Sequence, residues 1–267
     1  MARILLPTDF SENAHAAAEY AIGLFGRTGH DYVVLHAYSD LGLNNPMLHS
    51  MASEVLATAR EQLEQAVARL REATGAEGIV GRMENGPISM AVRTIVRNEG
   101  ADLVVMGRRG LAGAALFGSN TTDTIRNGDI AVLAVPEKVE GTVLGRVLLA
   151  NDHAEITAAS LAPLRAIAQA TRCAVTVAHI SKEGAADDRH WDQGIYETAL
   201  VGVPLRFVDH PGDDVAAAIA DAADAQNADM IAVLHRQRGF LDRLFSPSVA
   251  RKLALESHLP LLVLAQG

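Results

Sequence analysis

The chain has 267 residues, 49% of them hydrophobic and few aromatic, with a formal net charge of −9 and a single cysteine. That length fits one large domain or two ordinary ones, with a core built from Ala, Val, Leu and Ile. The acidic balance argues against a broad nucleic-acid footprint, one cysteine excludes an internal disulfide, and no apolar run approaches the ~20 residues of a membrane span.

The opening run, Met1 to Pro7, is too short for a signal peptide and is broken by proline, so a cytoplasmic protein with neither membrane nor nucleic-acid partners is expected. In the first half, apolar runs predict strands near 2–7, 31–37, 77–83, 102–107 and 130–135. Helices are expected near 12–26, 48–73, 88–99 and 119–127. Ser11 and Glu12 mark the start of the first helix, and Gly26 and Gly29 its end. Between Met51 and Leu70, apolar residues recur at helical spacing (Val55, Leu56, Ala59, Leu63, Ala66, Val67, Leu70) above a charged, solvated face.

The second half repeats the first. Arg3-Ile4-Leu5-Leu6-Pro7-Thr8-Asp9 returns as Arg146-Val147-Leu148-Leu149-Ala150-Asn151-Asp152, at an offset of 143 that also carries Val34-Leu35-His36-Ala37 onto Val177-Ala178-His179-Ile180. Ala101-Asp102-Leu103-Val104-Val105-Met106 matches Ala228-Asp229-Met230-Ile231-Ala232-Val233 at an offset of 127, so the second copy has lost 16 residues in between. The loss falls at the long second helix, where only a shorter stretch around Asp188 to Ala199 remains. Each copy closes on an apolar strand, 130–135 and 259–264. Cys173 reads as a small residue at the start of a strand rather than as a reactive thiol.

Nearly continuous apolar strands separated by helices imply a parallel sheet covered on both faces, wound right-handedly. The expected fold class is α/β: two tandem, doubly wound, three-layer domains, spanning 1–138 and 144–267. A short polar linker, Pro136 to Gly145, joins them.

In such sheets ligands lie beyond the carboxyl ends of the strands, where the strand order reverses. After the fourth strand comes Met106-Gly107-Arg108-Arg109-Gly110, then Gly113 and Gly118-Ser119-Asn120 at a helix start. Glycines bring bare amides to a ligand, and free helix-terminal amides favour an anion. Arg108 and Arg109 add local positive charge. The bland alternative is a flexible turn with Ser119 as a helix cap. No Gly-Lys-Ser/Thr is present, so this is not a Walker loop.

These residues carry a resemblance. Pro7-Thr8-Asp9-Phe10-Ser11, His36-Ala37, Ala101 to Gly107, the glycine loop, Gly118-Ser119-Asn120-Thr121 and the strand ending at Pro136 are similar to the universal stress protein family. The resemblance covers the whole first copy. It implies an adenine nucleotide alpha hydrolase-like fold, with the two domains packed as a pseudo-dimer through 130–135 and 259–264. It also implies binding of ATP or another adenine nucleotide, with or without Mg. Pro7, Thr8 and Asp9 would lie by the adenosine, the Ala37 backbone by the adenine edge, and Met106 and Gly107 by the ribose. Gly110, Gly118, Ser119 and Asn120 would hold phosphates. ATP-binding members space the loop as Gly, two residues, Gly, nine residues, Gly; here the second gap is seven. Asp9 keeps an alternative role as a turn or cap residue.

The second copy departs at the same points. Gly107 becomes Leu234 or His235, Gly110 becomes Gln237 or Arg238, and Pro247 has no amide to donate. Asp152, His153, His179 and His235 gather near expected strand ends, without the spacing of a metal site, and none is assigned. No catalytic residue is assigned either. The resemblance implies a nucleotide-binding regulator of stress responses that could also form a homodimer. A slow ATPase and an interaction module without nucleotide remain the alternatives.

Overall fold

The computed structural model describes residues 2–38, 49–108, 119–127, 130–139, 143–151, 156–181, 193–235 and 258–265. The chain divides into two compact units, Met1–Ile130 and Ala131–Gly267.

In the first unit, β1 (Arg3–Pro7), α1 (Glu12–Phe25), β2 (Asp31–Tyr38), α2 (His49–Thr74), β3 (Ile79–Asn85), α3 (Ile88–Glu99), β4 (Leu103–Gly107) and α4 (Ser119–Asn127) follow in order. The strands lie β3-β2-β1-β4, and each registered pair is parallel. A parallel pair needs a crossover, and the helices supply it. The first two crossovers step one way across the sheet and the third jumps back. With right-handed connections, this puts α1 against α2 and α3 against α4, as observed. The strand boundaries fall within two residues of those expected, because each apolar run ends where a glycine, proline or cap residue begins the next turn.

Helix α1 shows why the sequence folds this way locally. Ser11 is its N-cap: the backbone is extended and the hydroxyl accepts from the Ala14 N–H at 3.2 Å. Gly26 ends it with φ of 98° and donates to the Ile22 carbonyl. Tyr32 is fully buried, and its hydroxyl donates to the Gly26 carbonyl at 2.5 Å. Burial pushes the Tyr32 phenol up to about 12.

In the second unit, β5 (Val132–Val135), β6 (Arg146–Asn151), α5 (Ala162–Thr171), β7 (Ala174–Ser181), α6 (Gln193–Ala199), β8 (Leu205–Pro211), α7 (Val215–Ala225), β9 (Met230–His235) and β10 (Leu261–Ala265) follow. Strands β10-β9-β6-β7-β8 are parallel, while β5 runs antiparallel to β10 with Ala134, Leu133 and Val132 opposite Leu261, Leu262 and Val263. This is the pairing of the two closing strands expected from the sequence. The deletion is equally plain: α2 has 26 residues, whereas α6, at the same step of the second repeat, has 7. Cys173 is buried directly before β7, and burial pushes its thiol up, away from reactivity.

The Ala-Asp pair that marks the repeat has a physical task. Asp102 accepts the Arg3 N–H on Oδ2 at 2.8 Å, and its own N–H donates to the Arg3 carbonyl at 2.9 Å. Asp229 does the same to Arg146, both bonds at 2.8 Å. Two residues earlier in each case the backbone is left-handed, Gly100 at φ 71° and Asn227 at φ 48°, the two residue types that tolerate it best. Each clamp fixes the start of the central strand against its neighbour.

Removing either clamp with Asp102→Ala or Asp229→Ala is expected to cost about 1–2 kcal/mol in urea-unfolding stability, because a charge-assisted bond to a strand-end amide is lost. A change under a few tenths of a kcal/mol in both variants would show that the clamps are incidental.

Candidate functional site

The strand order reverses at β1 and β4: the connection after β1 leads to β2 on one side, and β4 lies on the other. The loops after these two strands therefore diverge and leave a crevice at their carboxyl ends. Pro7, Thr8 and Asp9 leave β1 here, Ala37 lies near the end of β2, Met106 and Gly107 end β4, and Arg108 follows directly. The topology brings these seven expected residues to one sheet edge. Gly110 and Gly118 lie outside the described residues, as does Arg109. Ser119 is the first residue of α4, and Asn120, next to it, is exposed.

The turn after β1 is organised by its own side chains. The Thr8 N–H donates to the Leu35 carbonyl at 2.8 Å, and the Phe10 N–H to Thr8 Oγ1 at 2.9 Å. Asp9 Oδ1 accepts both the Ser11 N–H, at 3.1 Å, and the Ser11 hydroxyl, at 2.5 Å. The turn role of Asp9 is thus present, and it orients the residue that caps α1. Phe10 has φ of 64°, a left-handed conformation that costs a bulky residue about 1–3 kcal/mol. Its ring stacks on His36 at 4.3 Å between centroids. His36 Nδ1 lies 3.0 Å from the Thr8 carbonyl, which can only accept, so that nitrogen carries the proton. The sequence reading missed this strained, stacked Phe10–His36 pair. Its only signal was two aromatic rings, Phe10 three residues past the end of β1 and His36 one past Leu35 in β2.

The base of the glycine loop is closed by a bond that sequence reasoning also missed. Thr121 is buried, and its hydroxyl donates to the Gly107 carbonyl at 3.2 Å. It ties the first turn of α4 to the last residue of β4, so both ends of the intervening segment meet. Thr124, also buried, donates to the Asn120 carbonyl at 2.8 Å. Arg108, directly after β4, is only 7% exposed, so its side chain is buried.

Gly107 has a packing reason besides any ligand. A Cβ there would stand 2.5 Å from Asn13 Nδ2 and 3.0 Å from the Asn13 carbonyl, because α1 crosses β4 closely. Beside the turn, a cavity of about 260 Å³ lies between α1 and α2, with Leu6, Thr8, Phe10, Ser11 and Leu70 in its wall. Across its mouth Arg69 makes two bonds to the Glu12 carboxylate, at 2.7 and 2.6 Å, which hold the carboxyl below its ordinary value.

Near the corresponding edge of the second unit, Asn151, the last residue of β6, lies in register with His179, two residues before the end of β7, and both are buried. His179 is therefore an interior residue of β7. Asp152, His153, Gln237, Arg238 and Pro247 lie outside the described residues. Among the described residues, no three of His, Cys, Asp and Glu gather as a metal site would require. No described helix is long and apolar enough to cross a membrane.

Both units are thus α/β layers on a mostly parallel sheet, the second repeating the first in one chain. The sequence pattern of the Universal stress protein family matches residues 1–136 and again 145–265, and the chain belongs to that family. It is similar to a universal stress protein of Archaeoglobus fulgidus DSM 4304, with 22% identity over 100% of this chain and 97% of that one, at a TM-score of 0.72. A putative universal stress protein of Pseudomonas aeruginosa UCBPP-PA14 is 15% identical over 99% of this chain and 93% of its own, at 0.56. The cytoplasmic domain of a prokaryotic cation chloride cotransporter shares the fold at 10% identity and a TM-score of 0.59, over 99% of this chain and 95% of that one. No curated protein matches.

Gly107→Ala is expected to destabilise the protein by about 1–3 kcal/mol with no ligand present, since α1 must shift to accept the methyl group. Equal urea midpoints for the variant and the parent would refute the close approach of Asn13.

Proposed function

We propose that the first domain, residues 1–138, binds an adenine nucleotide, ATP foremost, and that the protein acts as a cytoplasmic regulator of a stress response. The observation that carries this reading is the Thr121–Gly107 bond at 3.2 Å. It sets the amino terminus of α4, with its free amides and positive dipole end, at the carboxyl end of β4, where the strand order reverses. A triphosphate approaching a chain of net charge −9 needs such a local positive field. Arg108, the residue directly after β4, is buried and adds a full positive charge to this edge of the sheet.

In this reading Pro7, Thr8 and Asp9 border the adenosine, the Ala37 backbone meets the adenine edge, and Met106 and Gly107 flank the ribose. Gly110, Gly118, Ser119 and Asn120 hold the phosphates, with Mg as their counter-ion. Order in the β1 turn supports it: a strained Phe10 held by His36 is the kind of preorganised geometry that binding sites retain. The second domain, residues 144–267, lacks the glycines and takes no triphosphate. It serves as the structural partner of the first, and a homodimer of whole chains is compatible with that role.

The test is ATP titration by calorimetry on the parent chain and on Ser119→Ala, Asp9→Ala and Asp9→Asn. Ser119→Ala and Asp9→Ala are each expected to weaken binding about tenfold, near 1.4 kcal/mol. Asp9→Asn keeps an acceptor for Ser11 and separates charge from turn geometry. Unchanged affinity in every variant would overturn the site. Phosphate release parallel to binding, and lost in Asp9→Asn, would make the protein an ATPase rather than a sensor.

A further inference from the structure

Strand β3 ends the strand order of the first unit and, among the described residues, is paired only with β2. The Tyr32 N–H donates to the Gly78 carbonyl. In a parallel ladder the bonding residues alternate, so 78, 80, 82 and 84 turn their backbone groups to β2, while 79, 81 and 83 turn theirs outward. Arg71 confirms the phase by donating to the Ile79 carbonyl at 2.5 Å. The outward amides and carbonyls of Gly81 and Met83 are next along this edge. Val80 and Arg82 are exposed beside them, Val80 at 54%.

A groove of about 460 Å³ runs along this edge. One wall is the stripe of α2 at 60, 64, 67 and 71, successive turns of one helix face, and Leu63 and Val67 make it apolar with Met83 opposite. Gly81 lets α2 come close: a Cβ there would stand 3.1 Å from Leu63 Cγ. The rim is basic. Arg60, Arg71 and Arg82 line the groove against the single acid Glu64, in a protein whose net charge is −9. Arg82 also bonds to Glu99, whereas Arg60 makes no side-chain hydrogen bond or ion pair among the described residues.

We propose that this edge receives an extended segment of a partner protein in which aliphatic and acidic residues alternate, added to β3 as a further strand. Main-chain bonds to Gly81 and Met83 hold it, and alternate side chains read the two faces. Aliphatic side chains enter the groove between Leu63 and Met83. Acidic ones on the other face lie by Arg82, and those at the segment's ends reach Arg60 and Arg71. A second copy of this chain fits less well when Gly81 pairs with Met83 of its twin, because that register sets Arg82 against Arg82.

The test uses a fluorescein-labelled peptide of alternating Glu and Val, with a Lys and Val peptide as control, titrated with the full chain. The acidic peptide is expected to bind saturably and to weaken as salt rises, and the basic one not to bind. Arg60→Glu should weaken binding about tenfold or more. Met83→Pro should abolish it, since it removes an outward N–H and no bond to β2. Hydrogen exchange at Gly81 and Met83 should slow when the peptide is added, a readout that does not depend on either variant folding. Binding of neither peptide, which would make the arginines guards against edge association, overturns the proposal. So does equal binding of both peptides, or acidic binding that Arg60→Glu and the exchange rates do not register. A parent dimer that Met83→Pro turns into a monomer would assign the edge to a second copy instead.

Discussion

Everything at the candidate site depends on the central strand β1 lying between β2 and β4. Parallel pairing on both sides forces the chain to cross over the sheet in opposite directions, and that divergence opens a crevice at the sheet edge where Thr8, Asp9 and Gly107 all lie. The clamp from Asp102 to Arg3 holds the other end of the same strand pair, at 2.8 and 2.9 Å. A strand pair pinned at one end and splayed at the other is the mechanical basis of the site.

The duplication shows which parts of this arrangement are structural. The second unit retains the clamp at Asp229 and Arg146, the left-handed residue before it and the parallel order of β10-β9-β6-β7-β8. What it has dropped is the long helix and the glycine loop. A fold that survives without that loop does not need it for stability, so the loop in the first unit is free to serve a ligand. Gly107 is the exception, because Asn13 packs against it.

Most of the fold was legible in the sequence, since apolar runs, caps and the repeat all pointed to one architecture. The strand edges and the capping by Ser11 follow from residue type and spacing, whereas the pairing of the closing strands was implied by the family resemblance and its antiparallel sense came from the structure. The site was legible in outline only. Asp9 and the glycine loop stand out by residue type, but the Thr121–Gly107 bond and the Phe10–His36 stack depend on contacts across 14 and 26 positions, which no local pattern encodes. The Ala-Asp repeat was visible as a match and silent as to its cause, because its partner lies 99 positions away. The burial of His179 was hidden for a related reason: a histidine near the end of a strand carries no sign of what covers it.

We propose one nucleotide site per chain, in the first unit. Calorimetric titration of ATP into the full-length protein tests it most directly, through the stoichiometry. One equivalent bound per chain is expected, with affinity about tenfold weaker in Ser119→Ala. Two equivalents per chain, or none in a folded protein, would contradict it.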